Sequence, residues 1–158
     1  MPQLWVGLSA LWAVALAYSD CRHRRLPNVA TLGGGLIGLL ALAVTGTSPL
    51  GASGMSMLAG SGLALLLTLP GYFLRQLGAG DVKLLLAVAL LGGTAAVLAA
   101  FVVGALVTVA AAGLWIFVAP RFGLMPGSGR WLPFGAGLAL GFVLAIAGGQ
   151  VGEVQWPQ

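Results

Sequence analysis

Long apolar segments separated by short polar connections dominate the chain. Residues 4–19, 29–45, 55–77 and 131–149 carry almost no charge. Each segment is close to the roughly 20 residues that a helix needs to cross a bilayer. The apolar runs are continuous and lack the alternation with period two that marks the strands of a membrane barrel. The pattern therefore predicts a transmembrane helix in each of the four segments.

A fifth apolar segment, residues 82–119, is too long for one crossing, so we expect it to fold back. Gly92-Gly93-Thr94 provides the best turn, because paired glycines break regular structure strongly. The turn leaves a short helix over residues 82–91 and a longer one over 94–118. A bend is expected in the third segment at Pro70-Gly71. The prediction is an all-α integral membrane protein, a bundle of about six transmembrane helices with short loops, forming a single domain over residues 1–158.

Composition supports a membrane protein. The chain is 59% hydrophobic and only 6% charged, whereas about a quarter of the residues of a soluble domain are charged. A water-facing surface cannot be built from so few charges. The composition therefore excludes a soluble enzyme or binding module and makes the lipid bilayer the expected surroundings.

The cations orient the predicted helices. All of them fall on alternate connections, namely Arg22, Arg24 and Arg25, then Arg75 and Lys83, then Arg121 and Arg130. Positively charged connections face the cytoplasm in multi-pass membrane proteins. We therefore expect both termini on the opposite, periplasmic side. This placement explains the net charge of +4, so no nucleic-acid partner is expected.

Two of the three acidic residues, Asp20 and Asp81, are expected at the same, cytoplasmic end of the bundle. Two carboxylates brought close together do not both ionise easily, so one can act as an acid while the other acts as a base. Aspartic proteases use such a pair to activate water and protonate the leaving amine. Alternatively, Asp20 forms a surface pair with Arg24 one helical turn away. Lys83, two positions after Asp81, is expected to face elsewhere on a helix.

Glycines flank the second aspartate. Gly78 and Gly80 lack a Cβ atom, so we expect unusual dihedral angles there and room for a peptide backbone to approach Asp81. Irregular backbone at membrane depth is tolerated where it lines a cavity, so a cavity is expected at this point. Gly137 and Gly141 form a small-xxx-small pattern, which predicts packing inside the bundle and only a mild effect of Gly141→Ala.

Three stretches resemble one known family. The sequence "GAGD" at residues 78–81, followed by Val-Lys-Leu, resembles the GxGD signature of intramembrane aspartic proteases and, within them, of type IV prepilin peptidases. The sequence "DCRHRRLPN" at residues 20–28 resembles their other motif, an aspartate seven residues before a proline. The sequence "LPFGAGLALG" at residues 132–141 is similar to their last helix, although the family pattern usually has proline where Ala136 stands.

The resemblance implies an activity and a site. It makes Asp20 and Asp81 the catalytic dyad, and it gives substrate-binding or positioning roles to Gly78, Gly80, Lys83, Pro133, Phe134 and Gly135. Lys83 by itself is interpreted as reaching toward lipid headgroups. The implied substrate is the basic leader and hydrophobic stem of a prepilin or pseudopilin, cut at the cytoplasmic face of a bacterial inner membrane.

The resemblance and the single cysteine limit the expected chemistry. Larger members of the family also N-methylate the new terminus and carry a segment with paired CxxC motifs. That segment is missing here, so peptidase activity alone is expected. The lone Cys21 allows neither an internal disulfide nor a cysteine-rich zinc site. We expect neither a metal ion nor a cofactor.

Two other functions remain open from the sequence. A small proton-coupled transporter or channel would also contain intramembrane acids, but its path needs polar groups through the whole membrane, and only scattered Ser and Thr residues are available away from the two aspartates. A non-catalytic assembly factor of a pilus or secretion system is the other alternative. The oligomeric state is not indicated by the sequence.

Overall fold

The computed structural model describes residues 2–23, 26–122 and 134–149. These residues form five α-helices and one short 3₁₀ helix. The α-helices are α1 (Pro2–His23), α2 (Asn28–Thr45), α3 (Gly54–Phe73), α4 (Ala79–Val118) and α5 (Phe134–Ala147), and the 3₁₀ helix Ala119–Phe122 follows α4. Within this described part, β-pairing is limited to one isolated bridge between Thr47 and Ser53 in the loop before α3.

The outer surface of the helices is apolar, as a bilayer requires. Helices α1 to α4 are long and apolar enough to cross a membrane, and α5 is a shorter apolar helix. Large apolar side chains are exposed on these helices, for example Leu11, Val44, Leu58 and Phe117. Such a surface is stable next to lipid chains, because every backbone polar group inside a helix is already hydrogen-bonded. The prediction of an all-α membrane bundle is confirmed.

Helix α4 is interrupted at Gly93. This glycine has φ +74° and ψ −162°, a conformation that side chains disfavour, and it separates a first arm (79–92) from a second arm (94–118). The break is held by Ser56 of α3. Its Oγ accepts a hydrogen bond from the Thr94 backbone N–H at 3.1 Å, and the Thr94 hydroxyl donates to the Ser56 carbonyl at 3.0 Å.

Contacts with α5 show that the two arms run back along each other. A Cβ atom built on Gly135 would lie 2.9 Å from Asp81, and one built on Gly137 would lie 3.0 Å from Thr108. Asp81 and Thr108 would be about 40 Å apart on a straight helix with a rise of 1.5 Å per residue, yet both contact the same turn of α5. The expected fold-back at Gly92-Gly93-Thr94 is therefore confirmed, and the described residues form six apolar helical segments.

The second arm of α4 and α5 approach each other through small residues. A Cβ atom on Gly137 would lie 2.9 Å from the Gly104 carbonyl oxygen, and one on Gly141 would lie 2.6 Å from the Ala100 carbonyl oxygen. The small-xxx-small pattern therefore packs inside the bundle, as predicted. The expected mild effect of Gly141→Ala is wrong, because the obstacle is backbone rather than a flexible side chain.

The remaining helix boundaries differ modestly from the predicted ones. Helix α1 continues to His23, so that Asp20, which was expected to end the first span, lies within its last turns. Helix α3 ends at Phe73 and contains Pro70 in its last turn. Arg75 follows with φ +59°, a left-handed conformation that cannot continue a helix, which explains why the helix stops before residue 77.

The first arm of α4 lies in the middle of the bundle. Its side chains Leu84, Leu85 and Val88 are fully buried. Helices α2 and α3 pack on α4, and α5 packs on both α4 and α1. Among the described residues, α1 and α4 share few direct contacts. The relative position of these two helices is therefore set mainly through their common neighbours.

Candidate active site

Asp20 lies near the end of α1 and is only 7% exposed. Its Oδ2 accepts a hydrogen bond of 2.8 Å from the backbone N–H of Ala136, in the first turn of α5. The N–H groups of a first turn have no partner within their own helix, and the helix dipole favours a negative charge there. The start of α5 therefore provides a fixed hydrogen-bond donor for the Asp20 carboxylate.

Asp81 is the third residue of α4 and also lies at a helix N-terminus. Its Oδ2 accepts a hydrogen bond of 2.9 Å from the Gly78 backbone N–H, and its own N–H donates to the Gly78 carbonyl at 3.1 Å. A carboxylate that reaches back to the N-cap residue is one half of a capping box. This contact fixes the side chain and leaves Oδ1 directed toward Gly135.

Gly135 brings the two carboxylates together. A Cβ atom built on this glycine would lie 2.9 Å from Asp20 Oδ2 and 2.9 Å from Asp81 Oδ1. Two atoms at that distance from one point are at most twice that distance, about 5.8 Å, apart. A single water molecule can bridge such a gap between two acceptors. The expected meeting of Asp20 and Asp81 at one end of the bundle is therefore found in the structure.

Leu26 packs against two of the glycines at this site. Its Cβ would lie 3.1 Å from a Cβ built on Gly80, and its Cδ1 would lie 3.0 Å from one built on Gly135. Gly80 is helical, and Gly78 is extended with φ −84° and ψ 151°, a conformation open to any residue. The expectation of unusual dihedral angles at Gly78 and Gly80 is wrong. Gly80 instead leaves room for Leu26.

Lys83 contacts the start of α2. Its Nζ donates a hydrogen bond of 2.9 Å to Asn28 Oδ1, which joins the sequence stretch that follows Asp20 to the one that contains Asp81. Phe134 packs edge-to-face on Phe101 in the second arm of α4, with 6.2 Å between ring centroids. Pro133 lies outside the described residues.

Two grooves include residues that hydrogen-bond to the carboxylates, Gly78 and Ala136, but neither groove is lined by Asp20 or Asp81. One of about 420 Å³ lies beside the connection between α3 and α4 and is lined by Tyr72, Phe73, Arg75, Leu77, Gly78 and Ala79. The other, of about 300 Å³, lies between α1, α4 and α5, and is lined by residues that include Cys21, Thr108 and Ala136. The cavity expected at Asp81 itself stays a prediction. A larger cavity of about 580 Å³ is far from the carboxylates, near the loop between α2 and α3.

Three residues at this site received no role from sequence reasoning. Leu26 and Asn28 belong to the stretch that resembles the first family motif, so their position was visible although their contacts were not. Ala136 acts through its backbone N–H, which no sequence pattern reveals. Arg24, the alternative partner of Asp20, lies outside the described residues.

The arrangement suits acid–base chemistry. Two carboxylates are held by backbone N–H groups within reach of one bridging water molecule, and a shared proton would let one act as an acid and the other as a base. Within the described ranges, no group of three or more His, Cys, Asp or Glu side chains has the geometry of a metal site.

The comparison with protein families agrees with this geometry. The model of the type IV leader peptidase family matches residues 7–114, a range that includes both Asp20 and Asp81. No curated protein and no solved structure matches the chain. The family match covers more than half of the chain and ends before α5, so it does not include Gly135 and Ala136. The chain belongs to the type IV leader peptidase family.

Proposed function

We propose that this protein is an intramembrane aspartic endopeptidase that removes the leader peptide of prepilin-like substrates, either type IV pilins or pseudopilins. The whole chain forms the single membrane-embedded peptidase domain. The observation that carries this proposal is the approach of the Asp20 and Asp81 carboxylates to one point at Gly135, in a chain of the leader peptidase family.

The proposed mechanism uses the two carboxylates together. The ionised carboxylate takes a proton from the bridging water molecule as its oxygen attacks the scissile carbonyl carbon. The protonated carboxyl group then donates its proton to the leaving nitrogen as the C–N bond breaks. The proton removed from water remains on the first carboxyl group, so each turnover exchanges the roles of acid and base. The proton is shared between Asp20 and Asp81, so its titration is a property of the pair and is not assigned to either residue alone.

The substrate can reach this point without crossing the membrane. Both described carboxylates lie at one end of the bundle, where the two grooves provide space for an extended peptide segment. The hydrophobic stem of a prepilin can remain in the bilayer beside the apolar helices. The positive residues of the connections support a position of this end at the cytoplasmic face of a bacterial inner membrane.

Transport fits the structure less well than one-sided chemistry. An ion path needs polar groups through the full thickness of the membrane. The cavity near the loop between α2 and α3 is lined mostly by apolar residues, including Ile37, Leu40, Val44 and Leu50. In the described part of the chain, the acidic side chains are confined to the end that contains Gly135.

Cleavage of a defined substrate tests the proposal. The purified protein should be incubated in detergent with a peptide that contains a basic leader followed by an apolar stem, and the products measured by mass spectrometry. One cut at the leader boundary is expected. A peptide with a scrambled leader and the same composition is the control. An intact substrate after prolonged incubation with folded protein would contradict the proposal.

A labelling experiment tests the orientation separately. In a Cys21→Ala background, a membrane-impermeant thiol reagent should label a cysteine tag placed after residue 158 in intact cells. It should not label a cysteine inserted near Gly127 until the membrane is opened. Labelling of the second site in intact cells would place the carboxylates at the periplasmic face.

A further inference from the structure

We propose that Asn28 and Lys83 form a latch that holds the helices of the two aspartates at their working separation. The latch is defined as the 2.9 Å hydrogen bond from Lys83 Nζ to Asn28 Oδ1. The inference rests on the proposed peptidase function and deepens it. It makes both residues positioning residues that act through the carboxylates and do not touch the substrate.

The packing shows where such a device acts. Asp20 is on α1 and Asp81 is on α4, and these two helices share few direct contacts among the described residues. Helix α5 packs on both and sets their relative position from one side, whereas α2 packs on α4 but has few contacts with α1. A second tie, through the first turn of α2 near the site, would restrict the separation of the carboxylates further.

The latch lies where that tie is needed. Lys83 follows Asp81 by two residues in the first turns of α4, and Asn28 is the first residue of α2. Asn28 also follows Leu26 by two residues, so the hydrogen bond holds Leu26 against the start of α4. Leu26 in turn lies where a Cβ of Gly80 or of Gly135 would crowd it, and Gly135 is the point at which both carboxylates meet.

The other side of α2 is fixed to the helix of Asp20. Trp12 of α1 donates a hydrogen bond of 2.9 Å from its indole Nε1 to the Ala30 carbonyl oxygen in the first turn of α2. The same indole fills the space beside Gly34, where an added Cβ would lie 2.6 Å from its ring. The first turn of α2 is thus bound to α1 through Trp12 and to α4 through the latch, which connects the two aspartate helices.

A direct role of Lys83 in substrate binding predicts different behaviour. In that case Lys83 would contribute to affinity for the substrate, and Asn28 would have no comparable effect. A positioning role instead predicts that removal of either residue lowers kcat and leaves KM unchanged, because an interaction that maintains the geometry of the carboxylates is expressed in the chemical step.

Steady-state kinetics of Lys83→Met, Asn28→Ala and the double variant distinguish these roles. The hydrogen bond is exposed, so each single variant should lose about two- to fivefold in kcat with an unchanged KM. The double variant should be no slower than the singles. Lys83→Arg keeps a donor and Asn28→Asp keeps an acceptor, so each of these variants should retain most of the wild-type rate. Arg121→Met, which removes an exposed cation elsewhere, should behave as the wild type.

A raised KM with an unchanged kcat in Lys83→Met, or additive losses in the double variant, would overturn the latch. A measurement of the distance between α1 and α4 tests the latch independently of cleavage. Spin labels on Cys21 of α1 and on a cysteine from Ala79→Cys at the start of α4 should give a narrow distance distribution. Lys83→Met should broaden it. An unchanged distribution would refute the latch even in an active enzyme, whereas absence of cleavage together with broadening would contradict only the peptidase proposal.

Discussion

Gly135→Ala tests the geometry of the site with the smallest possible change. The added Cβ would lie 2.9 Å from one oxygen of Asp20, 2.9 Å from one oxygen of Asp81 and 3.0 Å from Leu26 Cδ1. Ordinary contacts of a Cβ atom begin at 3.4 Å. Each carboxylate oxygen must therefore retreat by about 0.5 Å, the difference between these two distances. Both carboxylates remain chemically intact.

The expected loss is in turnover more than in stability. A misplacement of reacting groups by about 1 Å can lower a rate by about a hundredfold, so we expect kcat to fall roughly ten- to hundredfold. Overpacking typically lowers the free energy of unfolding by about 1–3 kcal/mol. Replacing glycine by alanine within a helix raises it by about 1 kcal/mol. The net effect on the free energy of unfolding should be about 0–2 kcal/mol.

Cleavage rate and thermal unfolding should be measured on the same detergent-solubilised preparation. Gly113→Ala is the matched control, because a Cβ on this α4 glycine meets no atom within 4 Å and gains the same helix propensity. Equal kcat values for the Gly135→Ala and Gly113→Ala enzymes would refute the inference that both carboxylates lie against Gly135. Loss of the folded state in Gly135→Ala would show that packing, rather than the dyad, requires this glycine.

Three further outcomes are expected. Gly80→Ala should slow cleavage, because its Cβ would lie 3.1 Å from Leu26 Cβ and 3.3 Å from Leu26 Cδ1. Leu26→Gly in the same chain, which removes both atoms, should restore part of the rate; no recovery would contradict the contact. Gly141→Ala should clearly lower the unfolding temperature, because its Cβ would lie 2.6 Å from the Ala100 carbonyl oxygen, and unchanged unfolding would show that the helices separate easily. The wild-type rate should have a bell-shaped pH profile, since a base is lost at low pH and an acid at high pH; a rate that is flat from acid to neutral pH would argue against proton sharing.

The helices and their number were predictable because they depend on local composition. Apolar length defines a crossing, and the glycine pair at Gly92-Gly93 marks the fold-back without any tertiary information. The end of α1 was less predictable. Asp20 is polar and was expected to end the helix, whereas α1 continues to His23 and the Asp20 carboxylate accepts a hydrogen bond from the Ala136 N–H.

The meeting of the two aspartates was also predictable, because alternate positive connections bring both to one end of the bundle. The roles of the glycines were not. Gly80 and Gly141 were interpreted from conformational freedom and from a packing motif, whereas the structure shows that a particular neighbour, Leu26 or the Ala100 carbonyl, determines each. The neighbours of these glycines are residues far apart from them in sequence. A hydrophobic or glycine pattern along the chain does not predict such contacts.

The central claim is that Asp20 and Asp81 act as one catalytic unit, and cleavage kinetics of Asp20→Asn, Asp81→Asn and the double variant test it most directly. Asparagine retains an oxygen that can accept the hydrogen bond from Ala136 or Gly78, so folding should be nearly unchanged. Each single variant should lose detectable cleavage of the prepilin-type peptide, and the double variant should be no worse, because residues that act as a unit are not additive. Substantial turnover by folded Asp20→Asn would contradict the account and would favour a surface pair between Asp20 and Arg24.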